Sequence, residues 1–311
     1  MSHEHHEHHE HHEHHGHHHH HHVAADNGQI RKILWVAIIL NLLFVGVEAG
    51  VGLWQNSLSL LSDAGHNLSD VFSLVLVVVG LHLVQVHSNE QYTYGYKKST
   101  ILISLANAIL LLVAVGVIMA ESIHKLREPI TIDGAVISWT AGVGILVNGL
   151  TTVLLMRGQK GDLNIRGAFL HMAADTLVSI GVVISGIVIK HTGWFIIDPI
   201  ISIVIAVVIL ISTWELLRDS MRLALDGVPE GIEVDEVAQL MRDTEHVTDV
   251  HHLHIWAMST TENALTAHVV VDDEHEATAV RKALKEALST KGITHATIEI
   301  ERDNDCCDKN C

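Results

Sequence analysis

Ser57-Leu58-Ser59-Leu60-Leu61-Ser62-Asp63-Ala64-Gly65-His66-Asn67-Leu68-Ser69-Asp70 is the stretch whose reading decides the fold. It opens an apolar segment, Leu58 to Leu83, long enough to cross about 30 Å of hydrocarbon. Yet Asp63, His66 and Asp70 lie inside it. His66 and Asp70 are four apart, so on a helix they stack on one face, one turn from each other. A carboxylate at the centre of a bilayer costs at least about 2.5 kcal/mol, so a function must hold it there. An imidazole stacked over a carboxylate is also a pair of zinc ligands. The pattern recurs as His171-Met172-Ala173-Ala174-Asp175, near the start of another long apolar run. Two copies of His-x-x-x-Asp supply two imidazoles and two carboxylates, one tetrahedral shell.

Six apolar segments surround these motifs, at 33–54, 58–83, 100–123, 134–156, 166–190 and 195–217. Each is long enough to span a bilayer as a helix. Pro129, Pro199 and Pro229 fall after the third segment, near the start of the sixth and at the start of a soluble domain. Trp35, Trp54, Trp139, Trp194 and Trp214 lie near segment ends, where an interfacial belt places them. Arg31, Lys32, Lys97, Lys98, Arg157, Lys160, Arg166, Arg218 and Arg222 fall on one side, against Lys125, Arg127 and Lys190 on the other. The richer side is cytoplasmic by the positive-inside rule, which puts both termini in the cytosol. The second and fifth spans are then antiparallel. At a rise of about 1.5 Å per residue, all four motif residues reach the middle or inner half of the membrane.

The expected organisation is a His-rich disordered cytoplasmic N-terminus (1–29), a six-span all-α membrane domain (30–222), a small cytoplasmic α+β domain (223–303) and a Cys-containing tail (304–311). His-His-Glu repeats and the unbroken His17–His22 suit weak, multivalent metal binding; the hexahistidine reads equally as an affinity tag. A net charge of -17 argues against nucleic acid and for cations as partners. Asp198, before Pro199, is the expected N-cap of the sixth span, and Glu48 is expected to face the bundle interior. In the loop from Val86 to Lys98, Tyr92, Tyr94 and Tyr96 read as interfacial anchors, and His87 is a candidate peripheral ligand.

The soluble part reads helix (Val234–Thr244), strand (Val250–Ala257), strand (Ala264–Val271), helix (Ala277–Leu288), strand (Thr294–Glu301). His251, His252 and His254 share the first strand, and alternation sets His252 and His254 on the face opposite His251. His268 is on the next strand. His295, Glu299 and Glu301 are on the last, followed by Cys306, Cys307 and Cys311. At least one metal site is expected among them.

With these residues assembled, the chain resembles the cation diffusion facilitator family, in particular its bacterial cobalt–zinc–cadmium resistance branch and the vesicular zinc transporters. The resemblance rests on Ser59 through Asp70, Tyr94-Gly95-Tyr96, His171 through Asp175, Gly227-Val228-Pro229, and His251-His252-Leu253-His254-Ile255-Trp256. It implies a six-helix fold, a homodimer and a cytoplasmic domain shaped like a ferredoxin-like metallochaperone. It further implies efflux of zinc from the cytosol in exchange for protons across the inner (plasma) membrane, as in heavy-metal resistance. His66, Asp70, His171 and Asp175 match the family's transport site. His251, His268 and Glu301 match ligand positions in the soluble domain, and His295 with the three cysteines resembles a second site there. Where a family Asp commonly follows the first His of that strand, this chain has His252.

The N/O shell suits Zn2+ and admits cobalt or nickel. A passive divalent-metal channel and a non-transporting metal sensor are the rival readings. An enzyme is not expected, because no nucleophile motif or phosphate loop is present.

Overall fold

A computed structural model describes residues 27–54, 58–127 and 134–302. Among these, six long helices come first: α1 (Asn27–Trp54), α2 (Leu58–Leu83), α3 (Ser99–Arg127), α4 (Gly134–Leu155), α5 (Leu163–Thr192) and α6 (Ile197–Ala224). Ile30–Val51 of α1 and the whole of α3, α5 and α6 are long and apolar enough to cross a membrane. The described apolar parts of α2 and α4 are shorter, Asn67–Leu83 and Gly142–Leu155. Large apolar side chains remain exposed around the bundle, among them Leu43, Val47, Val113, Val117, Leu146 and Ile211. A belt of this kind is stable against lipid and not against water, so this is a multi-pass membrane protein.

The helices associate chiefly in three pairs. α3 lies along α6, α4 along α5 and α1 along α2, while α5 also touches α2, α3 and α6. The buried stripe of α1 runs Leu34, Ala37, Ile38, Asn41, Val45 and Glu48, at helical spacing. Asp162 caps α5, accepting from the Asn164 N–H at 2.7 Å, and Gly193 ends it in the left-handed conformation at φ 70.

Several helix boundaries differ from the sequence expectation: α1 begins earlier, at Asn27, α3 runs on to Arg127, and α6 differs most. α6 continues past Leu217 to Ala224, because its polar last turns find partners. Arg166 donates to both Asp219 and Glu215 at 3.0 Å, holding the end of α6 against the start of α5. Asp198 is not an N-cap. The helix begins at Ile197, which leaves Asp198 inside the first turn. There it accepts from Ser185 Oγ at 2.7 Å and faces Lys125 Nζ at 3.7 Å, so it ties α5 and α3 to α6.

The C-terminal part comprises α7 (Val234–Arg242), β1 (Val247–Ala257), β2 (Asn263–Val271), a 3-10 turn (Glu274–Glu276), α8 (Ala277–Thr290) and β3 (Ile293–Glu301). The sheet order is β1-β2-β3, with β1/β2 antiparallel and β2/β3 parallel. Parallel pairing requires a crossover, and α8 supplies it. One sheet face carries Val250, Ile255, Leu265, Ala267, Val269, Ile293 and Ile298 against Val237 and Met241 of α7 and Val280, Leu284 and Leu288 of α8. By alternation, His251, His268, Glu299 and Glu301 stand on the opposite face.

The β1–β2 turn joins the two parts. Ser259 Oγ accepts from the N–H groups of Thr261 and Glu262 and sets the turn. The Thr260 N–H then donates to Thr100 Oγ1 (3.1 Å), Asn164 Nδ2 donates to Thr260 Oγ1 (3.4 Å), and Lys97 pairs with Glu262 (2.5 Å). Ile101, Leu223 and Ala257 form a small apolar core beneath these contacts.

Leu284 is fully buried in the soluble core. Leu284→Ala is expected to destabilise that domain by about 2–5 kcal/mol, read as an earlier unfolding transition in chemical denaturation. An unchanged midpoint would refute the packing described.

Candidate metal centres

The membrane centre begins with α2. Its buried face carries Asn67, Asp70, Val71 and Leu74, spaced to fall on one side of a helix. Asn67 Nδ2 donates to Glu48 Oε2 at 2.8 Å, which fixes this face of α2 against α1. Both groups are buried, and Glu48 faces the bundle interior as its position in α1 demands. One turn along α2, Asp70 is 1% exposed at its side chain and meets α5. His171 Nε2 lies 2.7 Å from Asp70 Oδ1 and 3.8 Å from Asp175 Oδ2. Ligand atoms of Asp70, His171 and Asp175 all fall within 4.8 Å of one another.

One ring nitrogen therefore faces carboxylates from two helices. A cation at this point is neutralised by both. A tetrahedral zinc ion spaces its N and O ligand atoms by roughly 3.3 Å, so its entry would require the contact to Asp70 to widen and the one to Asp175 to shorten. His66 stands one turn before Asp70 in α2; its side chain, like that of Asp63, lies outside the described residues.

The second centre is on the open face of the soluble sheet. His251 and His268 are register partners across β1 and β2, with ring centroids 5.5 Å apart. Glu301, buried on β3, reaches both. Its Oε1 lies 2.5 Å from His268 Nδ1 and its Oε2 3.2 Å from His251 Nε2. Glu299 Oε2 is 3.6 Å from His268 Nε2. Two overlapping groups result, His251–His252–His268 and His268–Glu299–Glu301.

The expected alternation fails at His252. The β1 register slips between His251 and His254, and His252 takes φ 49. This bulge turns His252 to the same side as its neighbour, with its ring 5.1 Å from His251 and 5.0 Å from His268. His254 is left exposed, away from the cluster. A third imidazole thus joins the centre that strand periodicity assigned to the other face. No local sequence signal announces the bulge, since no Gly, Asn or Asp stands at the left-handed position.

Comparison with known proteins decides the family. Residues 34–223 match the cation efflux transmembrane domain, and residues 229–303 match the cation efflux protein cytoplasmic domain. The chain belongs to the cation efflux family, the cation diffusion facilitators. Among relatives of this family, the cadmium, cobalt and zinc/H(+)-K(+) antiporter of Bacillus subtilis is 35% identical over 283 residues, covering 89% of this chain and 91% of the relative. The metal cation efflux system protein CzcD of Cupriavidus metallidurans is 34% identical over 279 residues, 88% of this chain and 87% of the relative. The zinc transporter ZitB of Escherichia coli is 33% identical over 279 residues, 89% and 88% respectively.

Other candidate ligands of this cation efflux protein fall elsewhere. His295, on β3, is exposed and turns the edge of its ring to Tyr94 at 5.6 Å. It belongs to neither histidine group of the soluble domain. His87 is exposed in the α2–α3 loop and joins no candidate metal group among the described residues. Tyr92 and Tyr96 pack on each other at 4.8 Å. Cys306, Cys307, Cys311 and His17–His22 lie outside the described residues.

His246, at the entry to β1, carries a resolved protonation shift. Its Nδ1 lies 2.9 Å from Asp272 Oδ1, and this hydrogen bond raises the imidazole pKa above its ordinary value. Desolvation opposes the rise, and the charges of Asp272, Glu245 and Glu276 add to it. The stabilisation is fully present below the ordinary imidazole value and is lost as pH rises through the raised folded one. Asp272→Asn is expected to lower the His246 titration midpoint in NMR. Identical midpoints in both proteins would remove Asp272 as the cause.

Proposed function

We propose that this protein is a proton-coupled antiporter that exports Zn2+, and also Cd2+, Co2+ or Ni2+, from the cytoplasm through a shell of His66, Asp70, His171 and Asp175. The observation that carries the reading is the His171 ring nitrogen held between Asp70 of α2 and Asp175 of α5. Three ionisable groups from two membrane helices converge there, and such groups mark ion pathways. The Bacillus and Escherichia relatives, named as a cadmium, cobalt and zinc/H(+)-K(+) antiporter and a zinc transporter, support the substrate and the coupling.

In this reading all six long helices span the membrane, and both termini and the ferredoxin-like soluble domain face the cytosol. The membrane is the inner one. The cytoplasmic domains pair in a homodimer, a role the description of the dimer-type domain match supports. Cytosolic metal binds the quartet only as neutral imidazole and ionised carboxylate, so loading drives off the protons these groups carried in on the return leg. Rearrangement of α2 and α5 turns the centre outward, where protons displace the ion and return in its place. His251, His252, His268 and Glu301 bind a further zinc that reports cytosolic metal to the dimer.

The experiment is zinc flux in sealed proteoliposomes with and without a pH gradient. Asp175→Ala is expected to abolish transport while the protein remains folded, because a less neutralised ion would have to sit in low dielectric. The wild type is expected to accelerate when the receiving side is acid. Flux indifferent to the gradient points to a passive channel, no flux points to a sensor, and normal flux in Asp175→Ala removes the quartet. For the soluble centre, His252→Ala is expected to weaken zinc binding there by at least roughly tenfold, the lower range for disturbing even an outer partner of a ligand. Titration calorimetry on the chain carrying Asp175→Ala and lacking the His-rich residues 1–22, with and without His252→Ala, reports that site as the difference between the two. An unchanged affinity would exclude His252 as a ligand.

A further inference from the structure

α3 presents oxygen-bearing side chains on one buried face at Thr100, Ser104 and Asn107, a helical spacing that climbs from the cytoplasmic end in steps of about 4.5–6 Å. The first two have partners. Thr100 accepts from Thr260, and Ser104 Oγ lies 2.9 Å from Ser220 Oγ of α6. Asn107 differs. It is 5% exposed, and neither its Oδ1 nor its Nδ2 has a hydrogen-bond partner among the described residues. An amide that served helix packing would be bonded across the interface, since an orphan polar group within hydrocarbon is costly.

Its surroundings show what it faces. A methyl group built on Gly167 of α5 would meet the Asn107 Cβ at 3.7 Å and Leu216 of α6 at 3.5 Å. Asn107 therefore sits at the α3–α5–α6 junction, against Gly167 of α5. Gly167 is four before His171, so it lies on the same face of α5 and one turn nearer the cytoplasmic end. Thr213 of α6, fully buried, adds a second oxygen without a hydrogen-bond partner among the described residues, three residues from Leu216 and away from that end.

We propose that Asn107 is a cation-contacting way station between the cytosol and the His171 centre, its amide oxygen replacing water on a divalent ion in transit. A neutral carbonyl suits this place. It holds a dication more weakly than a carboxylate does, so the ion passes on to Asp70 and Asp175. Thr213 receives the ion's remaining hydration on the same side of the junction. The inference rests on the transport reading above.

The test uses the full chain in proteoliposomes with Zn2+ as the probe. Asn107→Leu keeps the side-chain size and deletes both orphan polar atoms. A structural amide without partners is replaced at no cost by such a group, so the melting temperature is expected to hold or rise. The initial transport rate below saturation is expected to fall roughly tenfold, equivalent to one lost contact of about 1.4 kcal/mol with the moving ion. Equilibrium zinc binding at the membrane centre is expected to stay within about twofold. A wild-type rate, or an equal loss of equilibrium affinity, overturns the station. Should Asn107→Leu fail to fold, Asn107→Asp decides. A charged oxygen there is expected to hold the ion longer, lowering both KM and maximal rate, and no change in either overturns the proposal. Asp175→Ala measured alongside separates the two readings. Normal transport in it overturns the quartet, whereas an inactive Asp175→Ala with Asn107→Leu at the wild-type rate overturns only the station.

Discussion

The pairing of Asp70 with His171 is the constraint from which the bundle's arrangement follows. A carboxylate only 1% exposed in a membrane helix is tolerated only with a partner, and His171 of α5, far along the chain, is one. Satisfying it fixes the depth of α2 against α5 and the rotation of both. Neighbouring contacts serve that register. Asn67 and Glu48 hold α2 against α1, Arg166 locks the foot of α5 to α6, and Asp198 with Ser185 and Lys125 ties the opposite end. Each replaces exposure of a polar group to lipid with a bond between helices.

The soluble domain solves a different problem. Its chain is too short to bury much, so α7 and α8 cover one sheet face and leave the other to imidazoles and carboxylates. Glu301, on an edge strand, bridges to His251 on the opposite edge and to His268 between them. One carboxylate thus engages all three strands. The β1–β2 ribbon that carries His251 and His268 also ends in the turn seated on Thr100 and Asn164, so the polar face of the sheet and the foot of α5 share one rigid element.

Much of this was legible in the sequence. The apolar runs mark the long helices, because a bilayer imposes a length. The two His-x-x-x-Asp motifs single out Asp70, His171 and Asp175, which the fold brings within 4.8 Å of one another, because ionisable groups inside such runs are rare. The helix and strand order of the soluble domain follows from its periodicity. What the sequence withheld arises from competition between distant partners. Asp198 has the composition of a cap, but Ser185 and Lys125 offered it better bonds. Leu217 looked like the end of a span, but Arg166 supplied counter-charges that carry α6 onward. His252 obeys strand alternation on paper and breaks it in the fold, because a left-handed residue inserts a bulge. Asn107 reads as an ordinary polar residue in a span, and only three-dimensional packing shows its amide unmatched.

The His171 nitrogen has a single lone pair. A proton or a metal ion can occupy it, never both, so the doubly loaded species is missing from its set of bound states. Occupancy by one ligand is then vacancy for the other, and the two affinities are linked with opposite sign. In the transport proposed above, the chemistry of one atom would keep the two cations from travelling together in the same direction at that position, with no need of a gate to enforce it.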